Sequence, residues 1–186
     1  MTTLATLPSV ETPQLLLREI ETRDAVSFAR FMTQPAYQKH ISVRLRNRTE
    51  VDAFVRRAVS RKGDGGRASF HLAAEEKMSG EAIGDGFILL QRPGIAEIGW
   101  GVHPAMWAMG IGSEIGKALL GLSFERLDVA RVWCKVMAGN VASLRLARRI
   151  GLRHLKSHPD YPAGGGRFEA VEIFQLTAQQ YFDEPY

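Results

Sequence analysis

The 186-residue sequence has a single cysteine, Cys134, so no internal disulfide can form and a reducing, cytoplasmic setting is expected. No secretory signal is expected, since the opening MTTLATLPSV has neither a basic start nor an apolar stretch. Long hydrophobic runs are also missing. The longest charge-free stretch, Ile98 to Ser113, is broken by four glycines and a proline. It falls short of the roughly 18 apolar residues a membrane helix needs, so no membrane partner is expected. One cysteine and five scattered histidines build no metal cluster. His154 and His158 are spaced for a helix, yet Gly151 and Pro159 flank them, and they read as loop or strand residues. There is no finger, basic zipper, aromatic-basic interleaving or helix-turn-helix pattern, which disfavours nucleic acid as a partner.

What remains is an ordinary globular composition, 45% apolar and 24% charged. The length fits one domain over residues 1–186 with a sizeable core. The net charge of +4 conceals an uneven distribution: residues 40–67 carry +5, residues 131–156 carry +7, and the rest sums to −8. Two concentrated basic segments point to anionic ligands at particular places rather than to a general affinity for polyanions. In 40–67 the plainer reading is a solvated face.

Apolar alternation and turn residues give the element order. A strand is predicted over Gln14 to Ile20. Thr22 then serves as a cap, with Asp24 in the first turn of a helix that stops near Pro35. Thr49 and Asp52 read as a capping box opening a helix to about Ser60. Strands follow at 68–75, 82–90 and 95–102, then a helix with Ile115, Leu119 and Leu122 on one face, and a strand over 131–137. Asn140 caps another helix, which ends at Gly151. Two last strands, 152–156 and 168–176, bracket a loop of Pro, Tyr and three glycines. Hairpin-like strands followed by strand–helix–strand crossovers predict an α+β fold, a mixed sheet covered by helices.

Residues 95–116, IAEIGWGVHPAMWAMGIGSEIG, carry the chemistry. A strand ends, and Gly110-Ile111-Gly112 opens an amphipathic helix. Free amides at a helix start, with glycines permitting close approach, form an anion site suited to phosphate or pyrophosphate. No Gly-Lys-Ser/Thr follows, so it is not a P-loop. The spacing of Gly110, Gly112 and Gly116 also departs from the dinucleotide fingerprint, which disfavours an NAD-linked oxidoreductase. Gly99 and Gly101 flank Trp100 within a strand and predict a bulge that splays it from its neighbour.

The segment Trp107-Ala108-Met109-Gly110-Ile111-Gly112 resembles the Q/R-x-x-G-x-G/A signature of the GNAT N-acetyltransferase superfamily. Thr12-Pro13-Gln14-Leu15-Leu16-Leu17-Arg18, Glu97-Ile98-Gly99-Trp100, Asn140-Val141-Ala142-Ser143 and Ile150-Gly151-Leu152 extend the match. In order and spacing they are similar to the Rim-type branch, which acetylates ribosomal-protein N-termini and has relatives of other specificity. The resemblance implies a mostly antiparallel twisted sheet with helices on both faces and an acetyl-CoA-binding core at about 95–152. It places pantetheine beside Trp100 and Val102, and the pyrophosphate on the amides of Gly110, Ile111, Gly112 and Ser113. Asn140 is placed at the cofactor or acceptor. Glu97 becomes the candidate base and Ser143 the proton donor to the leaving thiolate. Trp107 replaces the signature's Gln or Arg, and Ala147 stands where many members carry a tyrosine acid. The three tryptophans, Trp100, Trp107 and Trp133, are expected mainly to pack. The implied acceptor walls are 24–32, 50–60 and 157–167, and the basic segment 40–67 hints at an acidic or phosphorylated amine acceptor. The expected activity is acetyl transfer to a primary amine of a protein N-terminus or small molecule. The alternative is a non-catalytic acyl-CoA-binding module of the same fold. The sequence leaves a homodimer open.

Overall fold

A computed structural model describes residues 6–41, 44–164 and 166–183. In chain order the elements are β1 (Val10–Glu11), β2 (Leu15–Glu19), α1 (Asp24–Met32), α2 (Pro35–Gln38), α3 (Arg48–Ser60), β3 (Ser69–Glu76), β4 (Ala82–Arg92) and β5 (Ile95–Val102). Then follow α4 (Ile111–Gly121), β6 (Arg131–Met137), α5 (Val141–Arg149), β7 (Arg153–Gly164), β8 (Arg167–Thr177) and α6 (Ala178–Asp183). All eight strands form one sheet in the order β1-β2-β3-β4-β5-β6-β8-β7. Every pairing is antiparallel except β5 with β6, which the α4 crossover makes parallel. The second strand–helix–strand unit does not place its strands side by side: β8 slots between β6 and β7.

Each face of the sheet has its own core. On one, Ile111, Ile115 and Leu119 of α4 meet Leu15, Leu72, Ile88, Ile98, Val132 and Phe174. On the other, Phe28 and Phe31 of α1, Tyr37 of α2 and Val51 and Val55 of α3 pack against Ala73 and Ala82. After Gly121 the helix widens into a π turn at Leu122–Arg126, where Leu127 N donates to Leu122 O and the Ser123 hydroxyl bonds back to Leu119 O.

The helix starts differ from the sequence expectation for identifiable reasons. Arg23, not Thr22, occupies the N-cap of α1 and makes no side-chain cap. Instead the Asp24 carboxylate turns back to accept the Glu21 amide at 2.7 Å and both guanidinium nitrogens of buried Arg18 at 2.7 and 2.8 Å. Arg18 also donates to Glu75, so this ion cluster seats α1 on the sheet. In α3 the box is set two residues earlier than Thr49 and Asp52. Asn47 Oδ1 accepts the Glu50 amide at 3.0 Å, and Glu50 Oε2 accepts the Arg46 amide at 2.7 Å. The predicted loop between the last strands is instead the outer part of a long β7–β8 hairpin, with register shifts around Pro159 and Pro162. As β7 is a sheet edge, its prolines cost few ladder bonds.

No helix among the described residues is long and apolar enough to cross a membrane. Within the same residues no group of three or more His, Cys, Asp or Glu side chains is placed to hold a metal.

Candidate active site

The site begins where β5 leaves β6. The parallel pairing covers only Ile95, Ala96 and Glu97 against Arg131, Val132 and Trp133. Beyond Glu97, β5 stays paired with β4 up to Val102, while β6 continues along β8 to Met137. Two neighbouring strands thus part into a wedge, leaving the β6-facing edge of β5 without a partner strand from Ile98 onward.

The splay is present, but the predicted bulge is not. The β4–β5 register runs unbroken through Gly99 and Gly101, and its only shift lies at the turn, between Leu90 and Arg92. The glycines serve a different purpose. A Cβ at Gly99 would strike the Phe87 ring, and one at Gly101 would strike the Tyr37 hydroxyl and lie 2.5 Å from Asp85 Oδ1. Across these residues β5 gives up its own side chains so that groups from β4 and α2 can lie over its backbone.

The α4 start lies at the mouth of the wedge. Gly110, its N-cap, has φ 85°, a left-handed conformation that costs glycine little. Ala108 shares that region at φ 63° without being a glycine, so the loop is strained, as segments shaped for a ligand often are. The Ser113 amide is already spent on Gly110 O at 2.9 Å, whereas the amides of Ile111 and Gly112 reach no acceptor among the described residues. Of the four amides in the predicted set, that of Ser113 is thus already taken, while those of Ile111 and Gly112 remain unpaired at this helix start. Gly112 and Gly116 face α5, where a Cβ on either would collide with Leu146 or Ile150, so their smallness lets α5 close on α4. The loop is braced from the N-terminal side: Gln14 Nε2 donates to Met109 O at 3.3 Å and to Glu114 Oε1 at 2.6 Å. Thr12 also donates to Glu114.

Trp107 is 52% exposed rather than core, and its indole N–H donates to Val102 O at 2.9 Å. This bond ties the loop to the end of β5 and takes the Val102 carbonyl. Trp100 and Val102 are partly buried against the α4-side core. Trp133 is half-buried on the opposite face and donates to Gln91 Oε1 at 3.1 Å. Asn140 caps α5 by accepting the Ser143 amide at 3.1 Å, and the Ser143 hydroxyl has no partner among the described residues. Ala147 is fully buried, so the tyrosine slot points into the core and not into the site.

Glu97 does not stand free. It is 5% exposed, with Lys135 Nζ on Oε1 at 2.6 Å and Gln91 Nε2 on Oε2 at 3.0 Å. Both of its oxygens are thus already engaged by donors, one of them a cation. Sequence reasoning passed over a second carboxylate, Asp85, although an acid between two glycines inside a strand was a usable signal. Asp85 is half-buried opposite Gly101 and accepts the hydroxyl of buried Tyr37 at 2.5 Å. Burial pushes its carboxyl up to about 6 against the opposing pull of that hydrogen bond. The same desolvation, together with the carboxylate, raises the Tyr37 hydroxyl well above its ordinary value. Within the basic segment, Arg67 is neutralised by Glu19 and Arg48 by Asp52, which weakens the hint of an acidic acceptor. In 131–156, exposed Arg145 and Arg149 reach no acid among the described residues.

Against known families, residues 14–153 match the acetyltransferase (GNAT) domain. The chain belongs to the GNAT acetyltransferase family. GNAT enzymes use acetyl-CoA, and the wedge and the free amides of Ile111 and Gly112 suit a thioester arm and its diphosphate. Among relatives, an uncharacterized N-acetyltransferase p20 of Bacillus licheniformis is 25% identical over 94% of this chain and 99% of its own. Solved GNAT structures with the same fold include the ribosomal-protein-S5-alanine acetyltransferase of Vibrio fischeri, with TM-score 0.80 and 14% identity over 94% and 98% of the two chains. A spermidine N-acetyltransferase chimera from Vibrio cholerae superposes with TM-score 0.75 and 16% identity over 92% and 99%. The mixed fold predicted from element order and the family resemblance are both borne out.

Proposed function

We propose that this GNAT protein moves the acetyl group of acetyl-CoA onto a primary amine, of a protein N-terminus or a small molecule, by direct attack. The observation that carries the reading is the wedge between β5 and β6 opening beside the unpaired amides of Ile111 and Gly112. Bound acetyl-CoA supplies an activated acyl group whose leaving thiolate is stable enough to depart.

The chain's own residues do the rest. The amides of Ile111 and Gly112, fixed by the left-handed Gly110, hold the diphosphate, with Ser113 adding its hydroxyl rather than its amide. Arg145 and Arg149 lie in the middle and the last turn of α5 and offer cationic partners to further phosphate. The free edge of β5 near Trp100 pairs with the pantetheine arm, while Val102 contributes backbone shape because its carbonyl belongs to Trp107. A backbone N–H on that edge polarises the thioester oxygen. Asn140 holds the start of α5 so that the Ser143 hydroxyl, which has no other partner, donates a proton to the departing sulfur. Glu97 holds Lys135 beneath the wedge and serves as a positioning residue. The unpaired Cys134 supports a cytoplasmic setting.

Thiol release from acetyl-CoA, measured across a panel of primary amines, tests the reading, with mass spectrometry of the product showing a gain of about 42 daltons, as acetylation requires. Acceptor-dependent thiol release is the expected result. Tight acetyl-CoA binding with no release above the blank would contradict it and favour the non-catalytic acyl-CoA-binding module.

A further inference from the structure

An alkylammonium has a pKa near 10 and cannot attack a carbonyl until it loses a proton. Glu97 is engaged by Lys135 and Gln91, so another group must take that proton. Asp85 meets the geometric requirements. Its register partners are Gly101 on β5 and Ala73 on β3, neither of them ionisable. One carboxyl oxygen lies over Gly101 where a side chain would otherwise stand, at the wedge-forming end of β5. The Tyr37 hydroxyl fixes Oδ1, and Oδ2 has no hydrogen-bond partner among the described residues.

We propose that Asp85, held by Tyr37 over the bare backbone of Gly101, receives the acceptor's ammonium group and takes its proton. This inference rests on the acetyl-transfer reading above. In the step, one N–H bond of the ammonium breaks and an O–H bond forms on Asp85 Oδ2, leaving the nitrogen lone pair free. That pair attacks the thioester carbonyl carbon, a C–N bond forms and the C–S bond breaks. The electron pair leaves on sulfur, which takes the Ser143 hydroxyl proton as it departs; the second nitrogen proton restores that hydroxyl, and Asp85 returns its proton to water. The rings of Phe31 and Phe87 line the surroundings and offer the ammonium no competing charge. Among the described residues, the other titratable and charged groups on this face include Tyr37 from α2, His71 from β3, Glu97 from β5 with Lys135 from β6 paired to it, the Arg18–Asp24–Glu75 cluster beneath α1, and His103 just after β5. The His103 Nδ1 is occupied by the Ala105 amide at 3.1 Å, and burial lowers the His71 pKa.

The test compares wild type, Asp85→Asn and Tyr37→Phe, using the best primary amine among spermidine, phenylethylamine and peptides beginning with serine or alanine. Asp85→Asn should keep its acetyl-CoA affinity by calorimetry while kcat falls about 100-fold or more, the range of general base catalysis. In Tyr37→Phe the acid limb of kcat/KM should move to higher pH, because the lost hydrogen bond had favoured the ionised carboxyl. An Asp85→Asn enzyme with unchanged kcat overturns the proposal, as does one that loses acetyl-CoA binding along with activity, or an unmoved acid limb in Tyr37→Phe. A wild type that binds acetyl-CoA and acetylates none of these amines contradicts the transfer reading instead. Asp85 is then decided by NMR of the CoA complex. Ethylammonium should shift the Asp85 carboxyl carbon resonance, and a resonance that does not move overturns the proposal.

Discussion

A carboxyl group kept in a poorly solvated place for chemistry should cost the fold stability, and Asp85 permits the cost to be calculated. Burial raises its pKa from 3.8 to about 6. Below the unfolded value both states are protonated and nothing is lost. Between the two values the unfolded chain ionises first, so stability falls as pH rises, and above the folded value the full penalty applies. A shift of about two units at 1.36 kcal/mol each gives a penalty of about 3 kcal/mol at most. Asp85→Asn keeps an oxygen that can accept the Tyr37 hydroxyl and carries no charge to desolvate. It should therefore be more stable than wild type at pH 8, by up to about 6–10 °C in midpoint for a chain of this size. The gain should shrink to nothing near pH 4. Thermal unfolding followed by circular dichroism at several pH values reads this directly. An Asn variant that is less stable than wild type at pH 8, or whose advantage does not vary with pH, would refute the reasoning. More stability with less activity is the pattern expected of a residue retained for function.

Three further outcomes follow from packing and charge. Gly116→Val should destabilise by about 1–3 kcal/mol and weaken acetyl-CoA binding, since the added side chain meets Ile150 and pushes α5 from α4; chemical denaturation and calorimetry measure both. Arg18→Met should cost about 3–5 kcal/mol, because it strands buried Asp24 without its cation and leaves half-buried Glu75 only the exposed Arg23; urea unfolding gives the value. Burial pushes the Cys134 thiol up to about 12, so it should ignore a disulfide reagent at pH 8 in the native state and react stoichiometrically once unfolded.

The fold was legible wherever local signals agreed with tertiary demand. Alternation identified β3 to β6, and apolar spacing identified α4 with Ile115, Leu119 and Leu122 facing the core. Asn140 and Gly151 bounded α5 as anticipated, Gly151 adopting φ 90°. Local reading failed where two signals competed within a few residues. Thr49-x-x-Asp52 reads as a box, but Asn47-x-x-Glu50, two residues earlier, forms it, because its glutamate also reaches the Arg46 amide. Around Pro159 and Pro162 the residues suggested a loop, and only the edge position of β7, a tertiary fact, lets a strand continue through them. Within the site, the glycine loop and the cap at Asn140 were visible because one short segment carries each. The Tyr37–Asp85 pair was not, since its members are 48 residues apart and meet only when α2 folds onto the sheet. The hidden engagement of Glu97 has the same origin: Lys135 lies 38 residues away, on a different strand.

Amide NMR on the 15N-labelled protein tests the central claim most directly. On addition of acetyl-CoA, the Ile111 and Gly112 resonances should move downfield and gain protection from exchange, while those of α1 and α3 stay in place. If acetyl-CoA binds and the Ile111 and Gly112 amides neither shift nor gain protection, the coenzyme is held elsewhere and the account is wrong.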